Sequence, residues 1–310
     1  MVEPVGVIGL GIIGSAIAAN LMQAGFHVIG TDVSATAVSA FASSGGEPSD
    51  SAHGVANAAK IIVTSLPSAM AIKEVVGGDH GLASAAYDDR IVIETSTLAL
   101  EDKQRAHDQL AQSGVTLLDC PISGTGAQAR NKDIAVYGSG SRDAFDRCAH
   151  VFQGFARDHY YLGTFGNGSR MKYIANLLVA VHNVAAAEAL ALGEAAGLDE
   201  ATVHAVIGAG AGTSKMFEIR GPMMVKKQFL PATMTVDNFM KDLGIIRDFA
   251  QSVGLDAPLL RTVLPIYALL QTEGRGQEDT ACVRAVIGGK AVNGGAKLDQ
   301  RGGVKAAHLE

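Results

Sequence analysis

The sequence predicts an α/β fold: a doubly wound parallel sheet followed by an all-helical domain, the two joined by a long helix. Three observations predict it. Short β-branched runs alternate with helical windows as far as about Gly163. A glycine-rich turn follows the first of those runs, and after Gly163 the strand signal gives way to a long alanine- and leucine-rich stretch. At 310 residues the chain exceeds the ~250 at which a single core usually stops growing. The expected division is a sheet domain over 1–165, a helical domain over 166–287, and a loose tail over 288–310, where six glycines and few large apolar residues occur.

The runs Val5–Gly9, His27–Thr31, Ile61–Ser65, Ile91–Thr95, Thr116–Cys120 and Ile134–Tyr137 read as strands. Each is nearly continuously apolar, the pattern of parallel strands covered on both faces. The windows Gly11–Ala24, Ala35–Ser44 and Ala99–Ser113 read as helices between them. Met171–Ala196 lacks proline and predicts one long helix; Glu200–Ile207, Val236–Val253, Pro258–Gln271 and Asp279–Val286 predict shorter ones. Pro258 suits a first helical turn, where its missing N–H costs nothing.

Composition narrows the function. Apolar residues make up 48% and charged residues 18% of the chain, the reverse of a disordered segment. A net charge of −6 argues against nucleic acid or an anionic membrane surface as partner, since phosphates select clustered Lys and Arg. Glycine contributes 37 residues, well above the usual ~7% and without a period of three, so these glycines serve turns and close backbone approaches. Cys120, Cys148 and Cys282 lie far apart with no CxxC pair; they build neither a metal site nor a disulfide framework and point to a reducing, cytoplasmic setting. A strand-like run begins at Val5, where a signal peptide would need its apolar helix. The apolar stretch from Ile174 to Gly197 carries Asn176, His182, Asn183, Glu188 and Glu194, which suits a buried helix better than a membrane crossing. His182 reads as a satisfied core histidine.

Gly9-Leu10-Gly11-Ile12-Ile13-Gly14 stands directly after the first strand and opens the first helix. In a Rossmann-type turn the first glycine permits the tight bend, the second lets a diphosphate approach, and the third lets helix pack on strand. The helix N-terminus then offers unpaired N–H groups and a positive dipole end. Asp32 ends the second strand 23 residues after Gly9, where a carboxylate accepts from the ribose hydroxyls. The plain alternative for Asp32 is a helix N-cap. Residues 33–36 are Val33, Ser34, Ala35 and Thr36, with no cation for a 2′-phosphate, so NAD rather than NADP is expected.

Three further clusters follow. Asp119-Cys120-Pro121-Ile122-Ser123-Gly124-Thr125-Gly126 leaves the fifth strand at its C-terminal end, where ligands bind in open α/β sheets. A serine hydroxyl and glycine-turn N–H groups suit a substrate carboxylate, although the segment also reads as a simple connection. Lys172 and Asn176 are spaced i, i+4 on one face of the long helix. Surface residues are the ordinary reading of such a pair, but among so many apolar neighbours a lysine would be partly desolvated and its pKa lowered toward acid–base use. Lys241-Asp242-Leu243-Gly244 lies in a helical stretch and alone indicates nothing.

Taken in order, GLGIIGSAIAANL (9–21), DCPISGTGAQA (119–129), GTFGNGSRMKYIAN (163–176) and KDLG (241–244) resemble the β-hydroxyacid dehydrogenase family, of the 3-hydroxyisobutyrate dehydrogenase and tartronate semialdehyde reductase type, from about Val5 to Val286. The resemblance implies an NAD-dependent enzyme moving a hydride between nicotinamide and a small 3-hydroxy acid of about three to five carbons. It assigns acid/base duty to Lys172 and support to Asn176, carboxylate binding to Ser123, Gly124 and the position of Thr125, and site closure to Lys241. Leu66, Pro67 and Thr97 match further cofactor contacts, and a homodimer or homotetramer is expected. Ile13 stands where methionine is usual, Thr125 where glycine is, and Leu177 where a second asparagine often follows; the last two bear on substrate identity. Thr213-Ser214-Lys215-Met216-Phe217-Glu218 resembles the L-threonate dehydrogenase branch and implies a polar four-carbon acid. The competing expectations are an imine- or ketone-reducing relative on the same scaffold, and a dinucleotide-binding protein without catalysis.

Overall fold

The computed structural model describes residues 3–87 and 89–288. Its first part alternates β1 (Val5–Ile8), α1 (Ile12–Gln23), β2 (Val28–Thr31), α2 (Ala35–Ser43), β3 (Glu47–Pro48), α3 (Ala52–Ala58), β4 (Ile61–Thr64), α4 (Ala69–Gly77), β5 (Arg90–Glu94), α5 (Leu100–Gln112) and β6 (Val115–Asp119). These strands form one parallel sheet in the order β3-β2-β1-β4-β5-β6, the doubly wound arrangement whose crevice opens beside β1. The apolar strands alternate between two cores. Val7, Val63 and Ile93 pack on one face with Ile17 and Leu21 of α1, while Ile8, Ile62 and Val92 pack on the other with Val55 and Leu110. Covering on both faces is why these strands are apolar without interruption.

The chain continues through β7 (Ile122–Ser123), α6 (Gly126–Arg130), β8 (Ala135–Gly138), α7 (Arg142–Arg147), α8 (Ala149–Phe155) and β9 (Asp158–Tyr161). Here the structure corrects the expectation that the sixth short run, Ile134–Tyr137, joins the parallel sheet. The run near Ile134–Tyr137 forms β8 of a separate three-stranded sheet, antiparallel to β7 and parallel to β9. Its residues alternate between buried and half-buried, so it is covered on one side only. A bridge between Asp119 and Ser139 links the two sheets. β9 is the polar run Asp-His-Tyr-Tyr, which no apolar pattern announces.

The helical part comprises α9 (Asn167–Ala195), α10 (Glu200–Gly208), α11 (Lys215–Lys226), α12 (Val236–Ser252), α13 (Pro258–Thr272), a 3-10 turn at Thr280–Cys282, and α14 (Val283–Val286). α9 begins four residues before the expected Met171. Its entry is Gly166 at φ 92°, and Gly168 continues the helix where a Cβ would stand 2.2 Å from Tyr137 O and 2.6 Å from Asp119 O. The glycines that look like a loop thus let a helix press against the sheet ends. α11 has a proline, Pro222, in its interior, and the single helix expected over Asp279–Val286 is split into two pieces. The tail expectation, apart from Gly288, lies outside the described residues.

α9 is long and apolar enough, by length and composition, to cross a membrane. Its inner face instead packs with Phe239, Tyr267 and Val283 in the third core, where Asn183 Nδ2 donates to Tyr267 Oη and to Thr280 O. His182 departs from the expected core histidine. It is half-buried, beside the outward-facing stripe of Met171, Ile174 and Leu178.

Candidate active site

The phosphate turn divides labour among its glycines. A Cβ on Gly9, which sits at φ 90°, would stand 2.2 Å from Ser65 O; one on Gly14 would stand 1.8 Å from Gly9 O; one on Gly11 would meet nothing within 4 Å. The chain itself therefore demands the first and third glycines, whereas the second faces open space at the head of α1. That helix has no side-chain cap and no acid in its first turn, so its N–H groups are left for an anion. Asp32 is fixed against the turn: Leu10 N donates to Oδ2 at 2.6 Å and Ser34 N to Oδ1 at 2.7 Å. The cap of α2 is Ser34, which accepts from Ala37 N; Asp32 does not cap that helix. These features fit a dinucleotide diphosphate and its adenosine ribose.

Leu10 and Gly14 are buried, Ile13 is half-buried and Ile12 is exposed. Ile12 lies against the start of α6, since a Cβ on Gly126 would stand 2.5 Å from Ile12 Cγ2. In the same crevice Leu66 N donates to Ser96 Oγ at 2.7 Å, Pro67 is exposed, and Thr97 O accepts from Lys241 Nζ at 2.8 Å.

The loop after β6 carries Ser123, half-buried, and Gly124, at φ 144°. Thr125 is the N-cap of α6. Its Oγ1 accepts from Gln128 N, and its own N–H donates to Gln128 Oε1 at 3.0 Å. The hydroxyl that replaces the family's glycine thus has local work, and Gln128 Nε2 carries the chain on to Asp133 Oδ2.

Lys172 and Asn176 project from the buried face of α9. Burial pulls the Lys172 ammonium below its ordinary pKa; Asp242 opposes that, and Lys241 adds to it. Asn176 Nδ2 donates to Asp242 Oδ2 at 3.0 Å, and Lys241 Nζ lies 3.2 Å from Asp242 Oδ1. Asp242 is itself buried, which raises its carboxyl despite both lysines. The structure thereby links Asn176, Asp242, Lys241 and Thr97, residues far apart in sequence, one helical turn from Lys172. Ser123 and Gly124 stand on the adjoining loop, and α9 packs against β7.

Sequence reasoning missed two parts of this arrangement. One is Asp242 as the acceptor between Asn176 and Lys241. The other is a fully buried set beneath the site: Lys103 Nζ lies 2.6 Å from Glu94 Oε2 and 2.8 Å from Asp119 Oδ1. Glu94 Oε1 accepts from Ser96 N, whose side chain holds Leu66. Asp119 accepts from Ser169 N and Ser169 Oγ at 2.7 Å each, at the first turn of α9. The available signal was Lys103 on the same helical stripe as buried Ala106 and Leu110.

Among the described residues no three His, Cys, Asp or Glu side chains converge as a metal site. A cleft of about 860 Å³ lined by Glu194, Lys227, Arg275 and Arg284 contains none of the residues above; volume without convergent chemistry does not identify a catalytic centre.

The chain is similar to known proteins over most of its length. Residues 4–163 match the family described as the NAD binding domain of 6-phosphogluconate dehydrogenase, and 166–286 the one described as NAD-binding of NADP-dependent 3-hydroxyisobutyrate dehydrogenase. The chain is 34% identical over 247 residues to L-threonate dehydrogenase of Escherichia coli O6:H1, covering 79% of this chain and 82% of that one. It superposes on the crystal structure of 3-hydroxyisobutyrate dehydrogenase from Salmonella typhimurium with a TM-score of 0.82 at 31% identity, over 91% of this chain and 99% of the other. An imine reductase from Pseudomonas sp. shares only the fold, at 19% identity and a TM-score of 0.58 over 91% and 96% of the two chains.

Proposed function

Because the chain belongs to the β-hydroxyacid dehydrogenase family, we propose that it oxidises the carbinol of a small hydroxy acid reversibly, with Lys172 as general base and acid. The observation that carries this reading is a buried lysine with a lowered pKa, on the face of α9 that meets Asn176, Asp242 and Lys241. NAD, when bound at the Gly9–Gly14 turn, supplies the hydride acceptor or donor.

In oxidation, neutral Lys172 takes the hydroxyl proton as the carbinol carbon loses a hydride. In reduction, the ammonium returns that proton to the carbonyl oxygen. Either way, the lysine stabilises the oxygen that gains negative charge in the transition state. Ser123 Oγ and the N–H groups of the Gly124 turn hold the substrate carboxylate, while Thr125 shapes the loop through its cap. Asn176 orients the reacting oxygen, and Lys241 adds positive charge while tying α12 to Thr97. Asp32 favours NAD, since its carboxylate repels a 2′-phosphate and no cation lies in 33–36 to offset it.

For the substrate we favour a polar hydroxy acid of about four carbons. The similarity to L-threonate dehydrogenases and the Thr213–Glu218 segment support that class. A homodimer or homotetramer fits the outward apolar stripe of Met171, Ile174 and Leu178 on α9, because such a surface favours burial. Three buried free thiols support a reducing cytoplasm.

The test is NADH formation with L-threonate, D-glycerate, 3-hydroxyisobutyrate and tartronate-series acids, beside NADP and beside Lys172→Ala. Turnover that requires NAD and falls ~10²–10⁴-fold in Lys172→Ala, with NADH binding unchanged, is the expected result. Near-full turnover in that variant would remove Lys172 from the mechanism.

A further inference from the structure

Buried Lys172 and Asp242 meet the exposed Lys241 where α9 packs on α12. Asp242 is 5% exposed, and each of its oxygens has a different partner: Lys241 Nζ at Oδ1 and Asn176 Nδ2 at Oδ2. Asn176 lies one helical turn from Lys172 on the same buried face. One carboxylate therefore fixes the asparagine beside the proposed base and the lysine that reaches across to Thr97. Its negative charge also acts on buried Lys172, where reduced dielectric strengthens charge interactions, while its partner Lys241 stays open to solvent.

The geometry points to Asp242 as a positioning residue of the hydride-transfer site. It aligns Asn176 and Lys241 around Lys172, and its charge sets the pH range over which Lys172 exchanges its proton. This rests on the reading of Lys172 as the acid/base.

The charges of the surrounding elements leave Asp242 alone in this role. From α12, Asp242 and Lys241 act on Lys172. Beneath the first turn of α9, Glu94, Lys103 and Asp119 are closed upon one another. On α11, Arg220 pairs with Asp279 and Lys215 with Glu218. On α14, Arg284 pairs with Glu194 and Glu200.

The sign follows from the chemistry. A base in alcohol oxidation must be neutral, so the rate rises with pH through the Lys172 pKa. A nearby carboxylate favours the ammonium and holds that pKa up. Removing the carboxylate charge lowers it.

Asp242→Asn keeps the side chain's shape, and the Asn176 amide can turn to preserve one hydrogen bond. The pH profile of kcat for oxidation should shift its acid limb downward by on the order of one pH unit, with NADH affinity changing little and substrate KM rising as Asn176 and Lys241 loosen. Asp242→Glu, which restores the charge, should return the limb to its wild-type position even if kcat stays low. A purely structural role would lower the melting temperature or kcat in both variants without moving the limb, and a limb that stays in place in folded Asp242→Asn overturns the proposal. If that variant does not fold, Asp242→Ser reads the same displacement with a smaller side chain. Lys172→Ala, run alongside, separates the two failures. Activity retained there rejects the assignment of the base itself, whereas activity lost there with an unmoved limb in Asp242→Asn rejects only Asp242.

Discussion

Lys103 Nζ lies 2.8 Å from Asp119 Oδ1, with neither side chain exposed to solvent. This contact joins a helix of the doubly wound sheet to the strand end from which the chain runs on to Ser123 and Gly124. Asp119 also receives Ser169 Oγ and N–H, three residues before Lys172. Through Glu94 and Ser96 the same set reaches Leu66, two residues past β4. Two halves of the site are therefore referred to one buried cation, whose charge the two carboxylates hold in place against burial.

Lys103→Met should accordingly destabilise the protein by ~3–5 kcal/mol, because it leaves two buried carboxylates without their counter-charge. Denaturant unfolding at neutral pH measures it. A loss below ~1 kcal/mol would mean that water or a shifted proton replaces the lysine.

The phosphate turn separates folding from binding within six residues. Gly14→Ala places a Cβ 1.8 Å from Gly9 O, and backbone cannot yield as a flexible side chain can. It should lower the melting temperature markedly or prevent folding. Gly11 has φ −68° and open space around its Cβ position, so Gly11→Ala should fold with a near-wild-type melting temperature and bind NAD more weakly. Calorimetric titration of NAD into that variant decides the matter. Unchanged affinity would move the diphosphate away from this glycine.

Periodicity in the sequence reached as far as local covering reached. β1, β2, β4, β5 and β6 are apolar on both faces because helices lie on both faces, and the pattern shows it. β8 shares the composition but lies in another sheet, and composition carries no register. β9 is polar throughout, and α11 contains Pro222, so neither announces itself. The linear motifs mark Gly9, Asp32 and Lys172 because a glycine turn, an acid after the second strand and a lysine in an apolar helix are patterns along the chain. Asn176 with Asp242, or Lys103 with Asp119, are contacts across folded elements. One sequence holds no record of them beyond a lysine on a buried helical stripe.

Acid should erase a second buried contact. Burial alone would raise the carboxyl of Asp279, but Arg220 and hydrogen bonds from Thr233 and Ala281 outweigh it and hold its pKa below the usual value. A carboxylate whose folded pKa is depressed contributes stability above the unfolded pKa and loses it as pH falls through the folded one. Asp279→Asn should therefore be clearly less stable than wild type at neutral pH, where Arg220 is left buried with a neutral partner. The two melting temperatures should converge as pH falls through and below the carboxylate range. Curves that stay parallel down to the acid limit would assign the loss to packing.

Asp32 offers the sharpest division between NAD and NADP. A carboxylate provides about four acceptor positions. The N–H groups of Leu10 and Ser34 take one on each oxygen, which leaves the others for the two ribose hydroxyls. Those same N–H groups hold the Asp32 carboxylate in one orientation against the turn. Asp32→Ala removes the acceptors, and charge-assisted hydrogen bonds contribute roughly 1.5–3 kcal/mol each. NAD affinity should fall by about tenfold or more. NADP affinity should fall less, or rise, because the repulsion goes with the carboxylate. Titrating both nucleotides into the variant tests the two halves of the argument separately. A loss of NAD binding without any gain in the NADP-to-NAD ratio would mean that Asp32 shapes the turn through Leu10 without touching the ribose.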